Sequence, residues 1–396
     1  MKLVLTLLLA LLVYPSFAQP DFQKKLQRQL ILAEDGDTIR LEAGTFHLTG
    51  TLSLEGKNSI HIQGAGMDRT ILSFKGQTEG AEGLRVSNGQ RIVLEDFTVQ
   101  DAKGDAIKTM NVDGITFRRV KAEWTGAPKA ENGAYGLYPV LCQNVLIEQC
   151  VAIGASDAGI YVGQSKHIVV RQSRAYHNVA GIEIENSQMA DVYDNEATEN
   201  TGGILVFDLP DLVQKKGGNV RVFNNHIHSN NFPNFAPPGN IVATVPQGTG
   251  ILILATGEVE IFQNKIINNN SLGTGIISYY FTEKPLTDSL YYPYPTQVSI
   301  HDNVYQRARV RYQGKGRLGM LFKYKLRFGK KVPDIIFDGI VDEANFNTQP
   351  ICVQNNPNAT FVNLDAGHNF KKVSRDTSLY NCTLDPLKKA ILSLNK

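Results

Sequence analysis

Gly159-Ile160-Tyr161-Val162, Gly181-Ile182-Glu183-Ile184 and Gly203-Ile204-Leu205-Val206 follow one another at a constant step of ~22 residues. Outward from this run, Gly136-Leu137 lies about one step earlier, and Gly83-Leu84, Ala106-Ile107, Gly250-Ile251 and Gly275-Ile276 continue the pattern. The interval from Gly203 to Gly250 spans about two units and predicts an insertion. Each unit holds a second apolar run, as in Ile115-Thr116-Phe117, Val145-Leu146-Ile147, Ile168-Val169-Val170, Val220-Arg221-Val222 and Val259-Glu260-Ile261. Short period-two segments parted by Gly and Asn turns are strands. A unit this small cannot bury a face alone, but stacked units can. The predicted fold class is all-β: a right-handed parallel β-helix, a single-stranded solenoid with one coil per repeat and helical caps.

Aligning the coils on the second strand puts Phe97, Val120, Cys150, Ser173, Asn195, Asn225, Asn264 and Asn303 in one column. The last four predict an asparagine ladder, each amide bonding its neighbours up and down the stack at ~4.8 Å. The expected layout is a signal peptide at 1–18, an N-terminal capping segment at 19–36 and a β-helix at 37–305. A basic and capping region follows at 306–396. Phe22, Leu26 and Leu30 suit a capping helix over 21–33, and Leu384 to Leu394, opened by Asp385-Pro386, suits a closing one.

With 42% hydrophobic and 20% charged residues the chain is globular rather than disordered. A net charge of +2 argues against a nucleic-acid binder. Lys2, the apolar run Leu3 to Val13, Pro15 and Ser16-Phe17-Ala18 form the three parts of a secretory leader. The run is too short to span a bilayer, and no later run is long enough. A secreted or periplasmic chain that does not span a membrane is expected.

Gly36-Asp37-Thr38-Ile39-Arg40-Leu41 and Gly44-Thr45-Phe46 resemble the opening of pectate-lyase-like β-helix proteins. Gly133 to Val140, Gly154 to Ser165 and Gly181 to Asn186 resemble a bacterial group of exported parallel β-helix repeat proteins. The wider superfamily includes polysaccharide lyases, glycoside hydrolases, uronate epimerases and noncatalytic members, so the resemblance implies a fold and a substrate class without fixing an activity. The Asp-Pro-His-Asp pattern of mannuronan epimerases and the paired aspartates of polygalacturonases are not found.

Alternate strand residues point outward. Counting the repeat Gly as zero, position +2 reads Arg85, Lys108, Tyr138, Tyr161, Glu183, Leu205, Leu252 and Ile277, and position +4 adds Glu185, Phe207, Leu254 and Tyr279. The expected catalytic stripe is Lys108, Tyr138, Tyr161 and Glu183. Arg85, Asp157, Glu185, Phe207, Asp208 and Tyr279 are expected to bind substrate. Arg85 and Lys108 suit a uronate carboxylate, a tyrosine can carry a proton, and Glu183 can be a general acid or base. Glu183 and Glu185 at i, i+2 would lie ~6.5–7 Å apart, near the lower end of the inverting-hydrolase range. The expected function is to act on or bind polysaccharide, with lyase or hydrolase chemistry on acidic glycan. The alternative is a noncatalytic cell-surface or periplasmic β-helix that binds a glycan or an envelope protein.

Insertions at 121–135 with Trp124, 209–249 with Phe232-Pro233-Asn234-Phe235, and 279–297 with six aromatics suit groove walls, or a lid packed on apolar positions such as Leu205 and Leu252. His226-x-His228 offers two metal ligands from one strand face, but a third is not evident and ordinary surface histidines are favoured, so no metal site is assigned. Gly64-Ala65-Gly66 is a turn, and no cofactor is assigned. Cys142 and Cys150 bracket one strand and cannot pair, whereas Cys352 and Cys382 are expected disulfide partners. Between Asp302 and Asp334 stand ten Lys or Arg and no acid, with Lys323, Lys325 and Arg327 alternating with Tyr324, Leu326 and Phe328. That pattern predicts a strand with one basic face, suited to an anionic partner or to a protected sheet edge.

Overall fold

The computed structural model describes residues 20–394 apart from 309, 311, 313–319 and 346–349. The expected signal peptide at 1–18 lies outside the described residues, as do Arg309, Arg311, Lys315 and Arg317. Among the described residues the strands form two all-parallel sheets, one of 11 strands and one of 19. The second wraps two sides of the solenoid, because Gln90–Gln100 and Asp113–Glu123 run unbroken around its corner. Ile160, Ile182, Ile204 and Ile251 stack in register and fill the axis from the 11-strand side.

At the corner before the ladder, one residue of each coil sits in the left-handed region. Asp194, Asn224, Gln263 and Asp302 have φ of 56°, 54°, 55° and 55°, and each precedes a ladder residue. The ladder offsets that strain. Asn195 donates both its backbone N–H and its Nδ2 to Asn225 Oδ1, each at 3.0 Å, and the pattern passes through Asn264 and Asn303 to Asn356. A second ladder, Asn178, Asn200, Asn230 and Asn269, runs at the next corner. Its sequence signal was available: an Asn follows each member of the first column, from Ser173 to Asn264, at the same offset.

The N-terminal helix Pro20–Leu32 caps the stack. Leu26 and Leu30 are buried. The Gln27 side-chain amide bonds the Ser53 carbonyl and N–H at 2.9 and 2.8 Å, satisfying the edge strand as another strand would.

The C-terminal region departs from expectation. Coiling continues past 305 through strands Ile335–Phe337, Ile351–Gln354 and Phe361–Asn363. The expected basic strand is replaced by a single wide helical turn, Leu321–Lys325, because Phe322 buries its ring against Tyr312 and Phe328 rather than alternating. The expected closing helix is absent. Residues 384–394 are extended and run back over the 19-strand sheet: the N–H groups of Leu387, Lys388 and Ser393 donate to Glu260, Asn219 and Asn144. Extended chain covers ~20 Å in six residues, enough to cross the four coil steps from Glu260 to Asn144, whereas a helix covers ~9 Å. Cys352 and Cys382 are disulfide-bonded, Cα atoms 5.0 Å apart, which pins the start of this strap to the last coils. Cys142 and Cys150 are free and buried.

Candidate functional site

The outward column of the 11-strand sheet forms as expected. Arg85, Lys108 and Tyr138 are consecutive partners, and Tyr161, Glu183, Leu205 and Leu252 continue the line. These side chains leave the solenoid axis, because their strand neighbours Ile160, Val162, Ile182 and Ile184 fill it.

The column is not an open groove. Arg85 and Lys108 are partly exposed and Tyr138 is half-buried. Tyr161 is 4% exposed, Glu183 1%, Glu185 7% and Asp157 5%. The roof is the two later insertions. Val242 and Val245 from 209–249, and Tyr279 and Tyr291 from 279–297, pack with Tyr161, Leu205, Phe207, Leu252 and Leu254 into one apolar layer. The face therefore opens at the Lys108 end and closes toward Leu205.

At the mouth, Lys108 Nζ lies 4.9 Å from the centre of the Tyr138 ring and 3.9 Å from Asp105. Burial raises the Asp105 carboxyl to about 6. Tyr135, Tyr138 and Tyr161 pack as a triangle with ring centres 4.4–5.0 Å apart. Burial pushes the Tyr138 hydroxyl up to about 12 and the other two upward as well.

Deeper, the Tyr161 hydroxyl donates to Glu185 Oε1 at 2.6 Å. The reach depends on Gly163, beside Glu185 in register. A Cβ at Gly163 would sit 2.4 Å from Tyr161 Cε1 and Oη, so the bare glycine is where the ring lies. Asp157 Oδ2 accepts from Asn240 Nδ2 at 3.2 Å, tying the roof to the acidic face. Glu183 Oε2 has no hydrogen-bond partner among the described residues.

No cation is paired with Asp157, Glu183 or Glu185 among the described residues, so burial dominates their titration. Burial raises Asp157 to about 7, helped by Glu185, and Glu185 to about 7 against the pull of the Tyr161 hydrogen bond. It raises Glu183 well above the usual carboxylate range, with Asp157 and Glu185 adding repulsion. Asp208, at the far corner, is raised to about 7 by burial although Gly217 N–H donates to it. The result is a proton-holding cluster below a tyrosine layer, with a lysine at the entrance.

Three expected substrate contacts need correction, one of them Asp208, which is 3% exposed at the closed end, where Gly217 N–H and the roof's Tyr291 hydroxyl bond it. Tyr279 is not in the +4 column. The repeat glycine of its coil is Gly273 rather than Gly275, so Ile277 pairs with Leu254 and Tyr279 begins a short 3-10 turn against Tyr291. The register was hidden because the inward position holds Thr274, satisfied by the Tyr305 hydroxyl at 2.8 Å. Phe207 is in its expected column but 1% exposed, packed under the roof. Trp124 is in the solenoid core, its Nε1 donating to the Ala102 carbonyl at 2.7 Å, and is no groove wall. Sequence reasoning missed Tyr135, which directly precedes the repeat Gly136, as well as Asp105 and Asn240.

A family model for the right-handed β-helix region matches residues 58–211 and 129–288, more than half the chain together. Among solved structures the chain is similar to the A-module of mannuronan C-5 epimerase AlgE4 of Azotobacter vinelandii, with 17% identity over 85% of this chain and 91% of that one and a TM-score of 0.55. It is also similar to the N-terminal fragment of gene product 12 of bacteriophage Phi29, with 14% identity over 85% and 60% and a TM-score of 0.51. At these identities the likeness is one of fold. No curated protein sequence matches.

Proposed function

We propose that this chain, which belongs to the right-handed β-helix family, is a polysaccharide-processing enzyme that acts on the ends of an acidic glycan by β-elimination at the face from Lys108 to Glu185. The observation that carries the reading is the order of groups along one register column: a partly exposed lysine, then tyrosines, then buried carboxyls that hold protons near neutrality. AlgE4, which shares the fold, acts on mannuronan, a glycan of this class.

In this reading Lys108 neutralises a uronate carboxylate at the mouth, which makes the neighbouring C5 proton acidic. In the molecules whose Glu185 is ionised near pH 7, Tyr161 takes that proton as its own passes to Glu185, 2.6 Å away. The C5–H electron pair forms the C4=C5 bond, the C4–O4 bond breaks, and Tyr138 protonates the leaving oxygen. Hydrolysis through Glu183 and Glu185 fits less well, because both carboxyls lie on one strand beneath the roof rather than on opposite faces of a sugar. The closed end of the face supports attack at chain termini.

A leader-like 1–18 and the Cys352–Cys382 disulfide support placement outside the cytoplasm, secreted or periplasmic. Among the described residues no helix is long and apolar enough to cross a membrane.

The test is incubation of the purified chain with a panel of polyuronates, reading ultraviolet absorbance of unsaturated ends and the size of early products. Turnover that yields short products from the start, lowered ~10²-fold or more by Lys108→Ala and by Tyr161→Phe, is expected. Wild-type rates in both variants would refute the site. Silence on every polymer would favour the noncatalytic alternative, with the roofed face as a structural layer.

A further inference from the structure

On the 19-strand sheet, away from the carboxyl–tyrosine face, strands Arg174–Tyr176, Glu196–Thr198, His226–His228 and Lys265–Ile267 stack in register. Ala175, Ala197, Ile227 and Ile266 point inward and are buried. The flanking residues therefore point out in two columns, Arg174-Glu196-His226-Lys265 and Tyr176-Thr198-His228-Ile267. Solenoid geometry thus supplies what His226-x-His228 lacked in sequence: a carboxylate from the adjacent coil, in register with His226.

We propose that Glu196, His226 and His228 form a divalent transition-metal site of the zinc class, with an open coordination position. One ligand atom from each lies within 4.8 Å of the others. A tetrahedral set at ~2.1 Å separates its donors by ~3.4 Å, so the widest pair closes by at most ~1.4 Å, a rotamer adjustment for the exposed His226. His228 is already oriented. Its Nε2 meets Glu196 Oε1 at 3.0 Å while Thr198 Oγ1 contacts its Nδ1 at 3.3 Å, the outer contact that fixes a ligand ring. The two imidazoles stack with centres 4.0 Å apart, both beside the carboxylate. Arg174 Nε pairs with Glu196 Oε2 at 2.9 Å, while Oε1 faces His228 and would take the metal in place of the histidine proton.

Two histidines and one glutamate make a three-ligand set of the kind that keeps a fourth position free. A shallow surface depression lined by Arg174, Asp194, Glu196, Asn224 and His226, though not by His228, leaves the Glu196 and His226 side of the cluster open to solvent. Lys265, next to His226 in register, opposes a bare cation and favours an anionic or hydroxide fourth ligand. A bound ion would clip two successive coils together from outside.

Tag-free full-length chain, stripped with chelator and dialysed, is titrated calorimetrically with zinc chloride, and with cobalt(II) read by visible absorption. One equivalent of zinc, a tetrahedral cobalt spectrum, and a loss of affinity of at least about tenfold in each of His226→Ala, His228→Ala and Glu196→Gln are expected. Zinc should also raise the melting temperature of the wild type and not of His226→Ala, whose side chain is exposed and not needed for folding. Absence of zinc binding, or unchanged affinity in the His226→Ala/His228→Ala double variant, would overturn the site. These readouts do not depend on any glycan activity.

Discussion

Glu185→Gln isolates the energetic consequence of burying the acidic cluster. Burial raises the Glu185 carboxyl from 4.5 to about 7. Between those values the folded chain holds a proton that the unfolded chain releases, so the wild type loses stability as pH rises. The contribution is fully present below pH 4.5 and is gone once pH has passed through about 7. At ~1.36 kcal/mol per pH unit the rise is worth about 3 kcal/mol, undiscounted because Glu185 is only 7% exposed. The substituted amide is neutral throughout and its carbonyl still accepts from Tyr161. The variant should therefore gain about 3 kcal/mol relative to wild type as pH rises from about 4.5 to about 8. Urea unfolding of both proteins at several pH values reads this difference; groups remote from residue 185 cancel, and Asp157 and Glu183, relieved of the Glu185 charge, move it in the same direction. Parallel stability profiles, or a variant that loses ground as pH rises, would rule out a Glu185 that holds its proton up to about 7.

Gly163→Ala should displace the Tyr161 ring and lower turnover at least about tenfold, measured as the rate of unsaturated-end formation, because the new methyl lands on the ring. Asn225→Ala should cost about 1–3 kcal/mol in urea unfolding, since both Asn195 donors lose Asn225 Oδ1 inside the core. A wild-type midpoint would contradict the ladder's role. Cys382→Ser should cost about 3–4 kcal/mol, the chain-entropy value for a loop of 30 residues, and should speed amide exchange in 384–394. Unchanged exchange there would show that the strap does not depend on the bond.

The solenoid was legible because its signal is periodic. Gly-Ile-x-Val steps, second-strand runs and one Asn per coil are local consequences of a single corner geometry, so Tyr161 and Glu183 could be paired across a full repeat of sequence. What failed lacked a period. The segments at 209–217, 231–248 and 279–297 carry no repeat, so groove wall and lid both stayed open, and that Val242, Val245 and Tyr291 would roof the stripe was not legible. Thr274 broke the apolar rule of the inward position and shifted Tyr279 into the wrong column. Glu196 escaped notice as a partner of His226 and His228 because the coil between them carries extra residues, which spoils the spacing without moving the register. The strap at 384–394 reads as a closing helix from its Asp385-Pro386 start, yet hydrogen bonds to Glu260, Asn219 and Asn144 on separate coils require extended chain.

In the proposed reaction an acidic glycan end enters beside Lys108 and reaches the Tyr161–Glu185 pair. A crystal structure of Tyr161→Phe with a uronate oligosaccharide tests it most directly. The expected density is a terminal uronate with its carboxylate on Lys108 and its C5 facing residue 161, with the chain leading out past Arg85. An oligosaccharide seated on another surface, or an empty face at millimolar ligand, would contradict it.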